Sequence, residues 1–362
     1  MSTSKFSTQL QNKINPLLDS AESIKLGSIE FSSKLLLAPM AGICTPPFRL
    51  LMEDLGAGGT VSELISCHGI NYENAKTLKM LEIDKREKNV GIQLFGEDPD
   101  AMAKAAKVAQ TFGPKFLDIN MGCPVKKVVS KGGGSALMKD ISTLGHFFKS
   151  VRSAIDIPLS IKIRTGWDGD DMNAEKIEKI AAQEGIEWVA IHGRTRAQQY
   201  TGLSNWEYIE WVKSNTKLPI IGNGDLHQPH QVSKKLKESN CDAFMIARGC
   251  LRNPFIFLES LSDTQGNKKS IFNGSDYFEV IQRLFDYTND TYDQERIRLV
   301  QLRKLIVWFA AGFPGAAAFR SKMFSSKTLD ESMLHAEEFY TALKAGSKNI
   351  NFDEVFMSSG HG

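Results

Sequence analysis

Cysteine is scarce. Five thiols (Cys44, Cys67, Cys123, Cys241, Cys250) are scattered over 362 residues, and no two form a C-x-x-C pair. A disulfide scaffold is excluded and no metal site is expected. Also missing is any apolar run near the roughly 18 residues that a membrane-spanning helix needs. The first twenty residues are polar and hold no secretory-type apolar stretch, so a cytoplasmic location is expected, with no membrane partner. Net charge is nearly absent, at +2 from 44 basic and 42 acidic residues, so any basic surface must be local. What is present is ordinary for a globular chain: 42% hydrophobic and 24% charged residues, long enough for one large domain and a smaller one.

Short apolar runs recur at intervals of one strand plus one helix. They are Leu35–Ala38, Gly59–Val61, Val90–Leu94, Phe116–Ile119, Leu159–Ile163, Trp188–Ile191, Leu218–Ile221 and Ala243–Ile246. Amphipathic stretches such as Ala174–Glu184 and Gln231–Glu238 lie between them. Near-continuous apolar strands alternating with helices imply a parallel sheet covered on both faces. Eight units fit a (β/α)8 TIM barrel better than a doubly wound open sheet, the alternative pattern.

After Phe257 the rhythm stops. Leu261–Gly274 is rich in Ser, Asn, Gly and Lys and reads as a linker. Beyond it a small C-terminal helical bundle is expected. One helix starts at Ser275 and runs towards Thr291. A second starts near Gln294 with Leu299, Leu302, Ile306 and Phe309 on one stripe, and a last one starts at the capping-box pair Thr328 and Glu331 and stops near Gly346. The expected layout is an N-terminal extension over 1–33, a barrel over 34–262, a helical domain over 263–346 and a flexible tail over 347–362, with both tails loosely held.

In such a barrel the residues ending the strands share one mouth. Those positions hold Met40, Glu63, Gln93, Asn120, Lys162, His192, Asn223 and Arg248, seven of the eight polar or ionisable. Asn223-Gly224-Asp225 and Ala247-Arg248-Gly249 follow the last two runs, where barrels build phosphate sites from loop amides and a helix start. Arg248 adds a planar donor fork for a phosphate. Gln93 and Lys162 suit the carbonyls of a flat heterocycle such as a flavin; the bland reading of Lys162 is a buried pair with Asp118 or Asp225. Cys123, in Asn120-Met121-Gly122-Cys123-Pro124, lies on a mouth loop, where a thiol mostly protonated at neutral pH can donate a proton or attack as a nucleophile. Its bland reading is a small core hydrophobe. Gly132-Gly133-Gly134, after Lys126, Lys127 and Lys131, reads as a phosphate cradle or a flexible lid.

These motifs resemble a known family. Leu37-Ala38-Pro39-Met40-Ala41-Gly42, Asp118-Ile119-Asn120-Met121-Gly122-Cys123-Pro124, Lys162-Ile163-Arg164-Thr165-Gly166-Trp167, His192-Gly193-Arg194-Thr195-Arg196 and Asn223-Gly224-Asp225 stand in the order found in tRNA-dihydrouridine synthases, and are most similar to the bacterial B-type subgroup. The likeness covers about Leu35–Phe257, with weaker likeness at Arg303-Lys304 and Trp308–Gly315. It implies an FMN-bound barrel that reduces specific uridines in tRNA, with NADPH re-reducing the flavin. Pro39, Met40 and Ala41 would line the flavin, with Gln93, Lys162 and His192 on its ring. Asn223, Gly224, Asp225, Ala247 and Arg248 would hold its phosphate. Asn120 would face the uracil, with Cys123 the general acid that protonates C5 as hydride reaches C6. The family often has glycine where Ala247 stands, histidine where Leu305 stands and tyrosine where Phe309 stands.

A base inside folded tRNA must be flipped out, and binding of the remaining RNA has to offset that cost. Arg296, Arg298, Arg303, Lys304, Arg320, Lys322 and Lys327 fall in a stretch without Asp or Glu, and Arg194 and Arg196 are expected to rim the mouth. Arg194, Arg196, Arg303 and Lys304 are therefore expected to touch the substrate. A monomer is expected. Two other readings share features: an FMN barrel oxidoreductase acting on a small pyrimidine, like dihydroorotate dehydrogenases, and a non-catalytic RNA-binding protein.

Overall fold

The computed structural model describes residues 6–262, 270–344 and 348–349. An N-terminal hairpin of β1 (Ile24–Leu26) and β2 (Ile29–Phe31) precedes eight parallel strands: β3 (Leu35–Leu37), β4 (Gly59–Ser66), β5 (Val90–Phe95), β6 (Phe116–Met121), β7 (Leu159–Arg164), β8 (Trp188–His192), β9 (Ile220–Asn223) and β10 (Ala243–Ile246). Each pairs with the next, and β10 pairs back onto β3 through Phe244 opposite Leu35 and Ile246 opposite Leu37. The expected (β/α)8 barrel with C-terminal helices is borne out. Its strands read as unbroken apolar runs because both faces are covered, the outer one by helices such as Pro99–Ala109 and Ala174–Gln183. Local signals start these helices where the strands end: Asp98 accepts the amide of Ala101 at 2.7 Å ahead of Pro99.

From Phe6 on, the N-terminal extension is not loosely held. Ser7 caps the helix Thr8–Asp19, and the β1–β2 hairpin stoppers the end of the barrel opposite the mouth. Phe31 enters the barrel core beside Leu36, Val61, Phe116 and Trp188, its ring 6.0 Å from both aromatic rings and nearly perpendicular to them. Gly59 makes room, since a Cβ there would meet the Phe31 ring at 2.5 Å. Also unlike the expectation, β4 extends to Ser66, with a register shift between Val61 and Leu64. Glu63 therefore sits at a bulge within the strand rather than at its end, and its carboxylate accepts the Gly42 amide.

Among the described residues the bundle has four helices: Gly274–Thr291, Glu295–Phe309, Ala316–Ser325 and Leu329–Thr341. The first is capped by Asn273, not Ser275. Asn273 Oδ1 takes the Asp276 amide at 3.1 Å while the Asp276 carboxylate takes the Asn273 amide at 2.7 Å, a reciprocal pair that Ser275 lacks. Thr328 caps the last helix as expected, through the Glu331 amide. The third helix has no counterpart in the sequence reading, which places nothing between the helix from Gln294 and the one from Thr328. Asp54 of the barrel helix Pro46–Asp54 accepts from Arg283 (3.0 Å) and Tyr287 (2.6 Å), and Arg86 joins Asp84 to Asp290 at 2.7 Å each. Lys348, assigned to a flexible tail, is instead packed: its ammonium donates to the carbonyls of Arg252 (2.5 Å) and Phe309 (2.9 Å), over the rings of Tyr277 and Phe313. The linker positions 263–269, the expected helix end near Gly346 and the tail from 350 on lie outside the described residues. Among the described residues no helix is long and apolar enough to cross a membrane, and no three potential ligands gather to hold a metal.

Candidate active site

A chain of hydrogen bonds climbs the barrel interior to the mouth. Ser160 Oγ and Gln93 Nε2 donate to the two oxygens of Asp118 at 2.6 and 2.7 Å. Asn120 Nδ2 donates to Gln93 Oε1 at 2.8 Å, and Asn120 Oδ1 accepts the Cys123 amide at 3.0 Å. Asn120 is 9% exposed. Expected to face a substrate base, it spends its amide on orienting the cysteine loop. From below, Gly132–Gly134 brings Ser135, whose amide and hydroxyl both donate to the Cys123 carbonyl at 3.1 and 2.9 Å. Gly134 has φ +59, and a Cβ there would meet that carbonyl at 2.8 Å. The glycine run is thus neither cradle nor lid; it is the packed floor of the cysteine loop. The Cys123 thiol is half-buried, and burial pushes it above the ordinary thiol range against the pull of Arg164. Burial thus favours the neutral thiol over the thiolate.

The opposite wall is cationic. Burial and the neighbouring Arg164 lower the Lys162 ammonium to about 8, opposed by Asp118, and it donates to Asn223 Oδ1 at 3.1 Å. Neither pairing of the bland reading forms; Asp118 acts on Lys162 only through space. Burial raises Asp118 to about 6. Burial, then Arg164, Lys162 and Arg194, depress His192 well below its usual value, so the imidazole is neutral. The turn Asn223-Gly224-Asp225 has φ +131 at Gly224, where a Cβ would meet Ser204 Oγ at 2.1 Å, and φ +52 at Asp225. Burial works against the Asp225 carboxylate, but donors from His227, Arg194 and the Ser204 amide hold it well below the usual range.

Arg194 corrects the sequence reading. Far from rimming the mouth, it is 3% exposed, forked on Asp225 at 2.8 and 3.0 Å and bonded to Ser204 Oγ and the Thr201 and Gly202 carbonyls. Its fork is used up on the loop beside the Asn223–Asp225 turn. Arg303 likewise faces the Ser326 carbonyl at 3.1 Å and lies over Phe324, while Lys304 donates to the Gly42 carbonyl beside Glu63. One contact lies inside the bundle and the other joins bundle to barrel, and both side chains stay partly exposed. Arg196 alone stays near the rim, over the Trp167 ring at 4.4 Å, with Lys139 on the same ring at 4.0 Å.

The sequence reading passed over two residues. Arg164, 2% exposed, donates to the carbonyls of Gly122, Thr195 and Gln199 at 2.7, 2.9 and 2.8 Å, tying the cysteine loop to the loop after β8. Tyr200, on that second loop, stands within 5.1 Å of Arg248, 5.6 Å of Arg164 and 6.5 Å of the His192 ring. Its only signal in sequence was a spacing of eight from His192.

One cleft brings together Pro39, Met40, Lys162, His192, Asn223 to Asp225, Ala247 and Arg248. Gln93 stands one step deeper, and Ala41 borders the cleft through the chain. Among the described residues, the carboxylates that act on Lys162, Arg164, Arg194 and Arg248 around it are Asp118 and Asp225. This excess of buried positive charge fits a dianionic phosphate group, and the Lys162 ammonium with the neutral His192 fits the polar edge of a flat ring.

A family model described as "Dihydrouridine synthase (Dus)" matches residues 36–345. The chain is 34% identical over 335 residues to "Probable tRNA-dihydrouridine synthase" of Rickettsia conorii, covering 91% of this chain and 100% of that protein. It is 33% identical over 321 residues to "tRNA-dihydrouridine synthase B" of Pseudomonas aeruginosa, covering 88% and 96%. Among solved structures, a 2-naphthoyl-CoA reductase complex aligns with a TM-score of 0.54 at 13% identity, covering 67% of this chain and 52% of that one, and shares the fold.

Proposed function

The chain belongs to the dihydrouridine synthase family, and on that premise we propose that it reduces specific uridines of tRNA to 5,6-dihydrouridine with a flavin, FMN, that NADPH re-reduces. The observation that carries the reading is the half-buried, neutral Cys123 thiol on a loop beside a cation-rich cleft. Asn223, Gly224, Asp225, Ala247 and Arg248 would hold the FMN phosphate; Pro39, Met40, Ala41, Gln93, Lys162 and His192 would surround its ring. Bound there, the flavin supplies the hydride that the uracil C5–C6 double bond accepts at C6.

The chain's own groups do the rest. Cys123 Sγ gives its proton to C5, where the negative charge left by hydride addition collects. An acid is needed because the negative charge that collects at C5 takes up a proton fastest from a donor fixed within reach. The Asp118–Gln93–Asn120 ladder fixes the Cys123 amide, and Arg164 fixes the carbonyl one residue before it. Lys162 places positive charge where electron density gathers on the ring. Arg196 remains the barrel-rim contact for RNA. We propose that the protein acts as a monomer in the cytoplasm.

The test is nucleoside mass spectrometry on unmodified tRNA incubated with the protein, FMN and NADPH. A two-hydrogen mass gain on uridine is expected, falling about 10²–10⁴-fold in Cys123→Ala while the yellow flavin stays bound. A yellow, NADPH-oxidising protein that leaves tRNA unchanged would point to a small pyrimidine substrate. A colourless protein that binds tRNA would sink the enzymatic reading.

A further inference from the structure

Two large hydrophobic side chains stand out from the surface among the described residues: Tyr72 is 82% exposed and Leu203 83%, with every other large one at 54% or less. Both sit on loops at the mouth, Tyr72 after β4 and Leu203 after β8. Tyr72 ends the short helix Cys67–Asn71, which Asn71 pins to the Ala101 carbonyl at 2.9 Å. The next residue, Glu73, has φ +52, a left-handed conformation that costs a non-glycine residue energy. Its amide bonds the Ile70 carbonyl at 2.9 Å, so the turn is fixed and holds Tyr72 outward. Asn74 then caps a second short helix, Ala75–Lys79, through the Thr77 amide. Lys76 and Lys79 of that helix are exposed and line a cleft whose far wall is Thr291 and Tyr292 at the end of the first bundle helix. Of the carboxylates in that cleft, Glu63 is taken by the Gly42 amide with Lys304 beside it, leaving Glu82 against two lysines.

A tyrosine held in water by a strained turn gains nothing for the fold. Beside two lysines, at the lip between barrel and bundle, it suits a partner that offers a flat π-face and phosphates together. We propose that residues 72–79 form an RNA-contacting element in which Tyr72 stacks on an unpaired base of the substrate and Lys76 and Lys79 take the adjoining phosphates. The inference rests on the reading that the substrate is tRNA. Removing one uridine from its stack leaves neighbouring bases uncovered, and an exposed ring beside the mouth supplies the missing stacking partner.

The experiment is fluorescence anisotropy of labelled, unmodified tRNA with the flavin-loaded protein at several salt concentrations. Tyr72→Ala is expected to weaken binding about 5- to 100-fold, and Tyr72→Phe and Tyr72→Trp to stay near wild type because the ring remains. Lys76→Ala with Lys79→Ala should reduce the slope of log affinity against log salt by about one to two. NADPH oxidation without RNA should be unchanged in all of them. Wild-type binding by Tyr72→Ala, or an equal loss in Tyr72→Phe, overturns the stacking contact and leaves the functional reading standing. A wild-type protein that does not bind tRNA overturns both.

Discussion

At Cys123 the same burial that raises the thiol above its ordinary range also decides how the reaction responds to pH. The proposed donor works in its neutral form. That form persists below the raised value and is lost as pH climbs through it, so single-turnover uridine reduction should hold steady through neutral pH and fall only on the alkaline side, above about pH 8.5, where a free thiol would already be half ionised. A fall beginning near pH 7 would contradict an acid role for this thiol. Lys162 makes the opposite case. Its ammonium is lowered to about 8 from 10.5 by burial, so the unfolded chain binds its proton more tightly than the native one and stability rises with pH between those two values. Lys162→Met should remove that rise and stabilise the flavin-free protein at pH 7 by up to about 3 kcal/mol, read as a higher Tm, while flavin affinity drops. Such a trade fits a residue kept for binding rather than folding. The sequence made both residues visible because each is a polar side chain directly after or within an apolar run. It could not show that Arg194, of the same type and in a similar place, turns inward onto Asp225, because direction depends on the Ser204 and Gly202 side of the loop and on a partner 31 residues away in sequence.

Among the elements, strands were the most legible. Each is an apolar run buried on two faces, bounded by turn residues and too short for a helix of the same hydrophobicity. Helix starts were less so: Ser275 and Asn273 are both good caps, and only the reciprocal bond from Asp276 decides between them. The helix Ala316–Ser325 was hidden because its face carries only Phe319 and Met323 to the core. Least legible was the hairpin, whose three-residue strands alternate too briefly to show a period. Its packing is strong all the same. Phe31→Ala removes a ring held edge-on by Phe116 and Trp188 and should cost about 3–5 kcal/mol, measured by urea denaturation. Because Phe31 lies at the end away from the cleft, the surviving folded fraction should still bind flavin with wild-type affinity.

Across the whole molecule, barrel and bundle are joined by polar contacts: Asp54 with Arg283 and Tyr287, Arg86 with Asp290, Lys304 with Gly42, and Lys348 with Arg252. Asp54→Ala leaves Arg283 and Tyr287 without their shared acceptor and should loosen the bundle. Faster hydrogen exchange confined to 274–309, with flavin binding intact, would be the sign. Arg303 and Lys304 look from sequence like RNA contacts because they are basic and lie in a stretch free of carboxylates. The fold also bonds Arg303 within the bundle and Lys304 to the barrel, while each stays partly exposed.

Closure of the barrel also governs when this protein can begin to fold on the ribosome. The first strand of the ring, Leu35–Leu37, finds its second neighbour only in Ala243–Ile246, so a nascent chain holds one open sheet edge until some two hundred further residues have been made. The cleft draws on side chains from Pro39 to Arg248 and does not exist before that moment. Newly made protein therefore cannot capture its flavin piecemeal. It must pass through a state with an apolar, unpaired edge, in which chaperone binding or aggregation competes with the final turn of the ring.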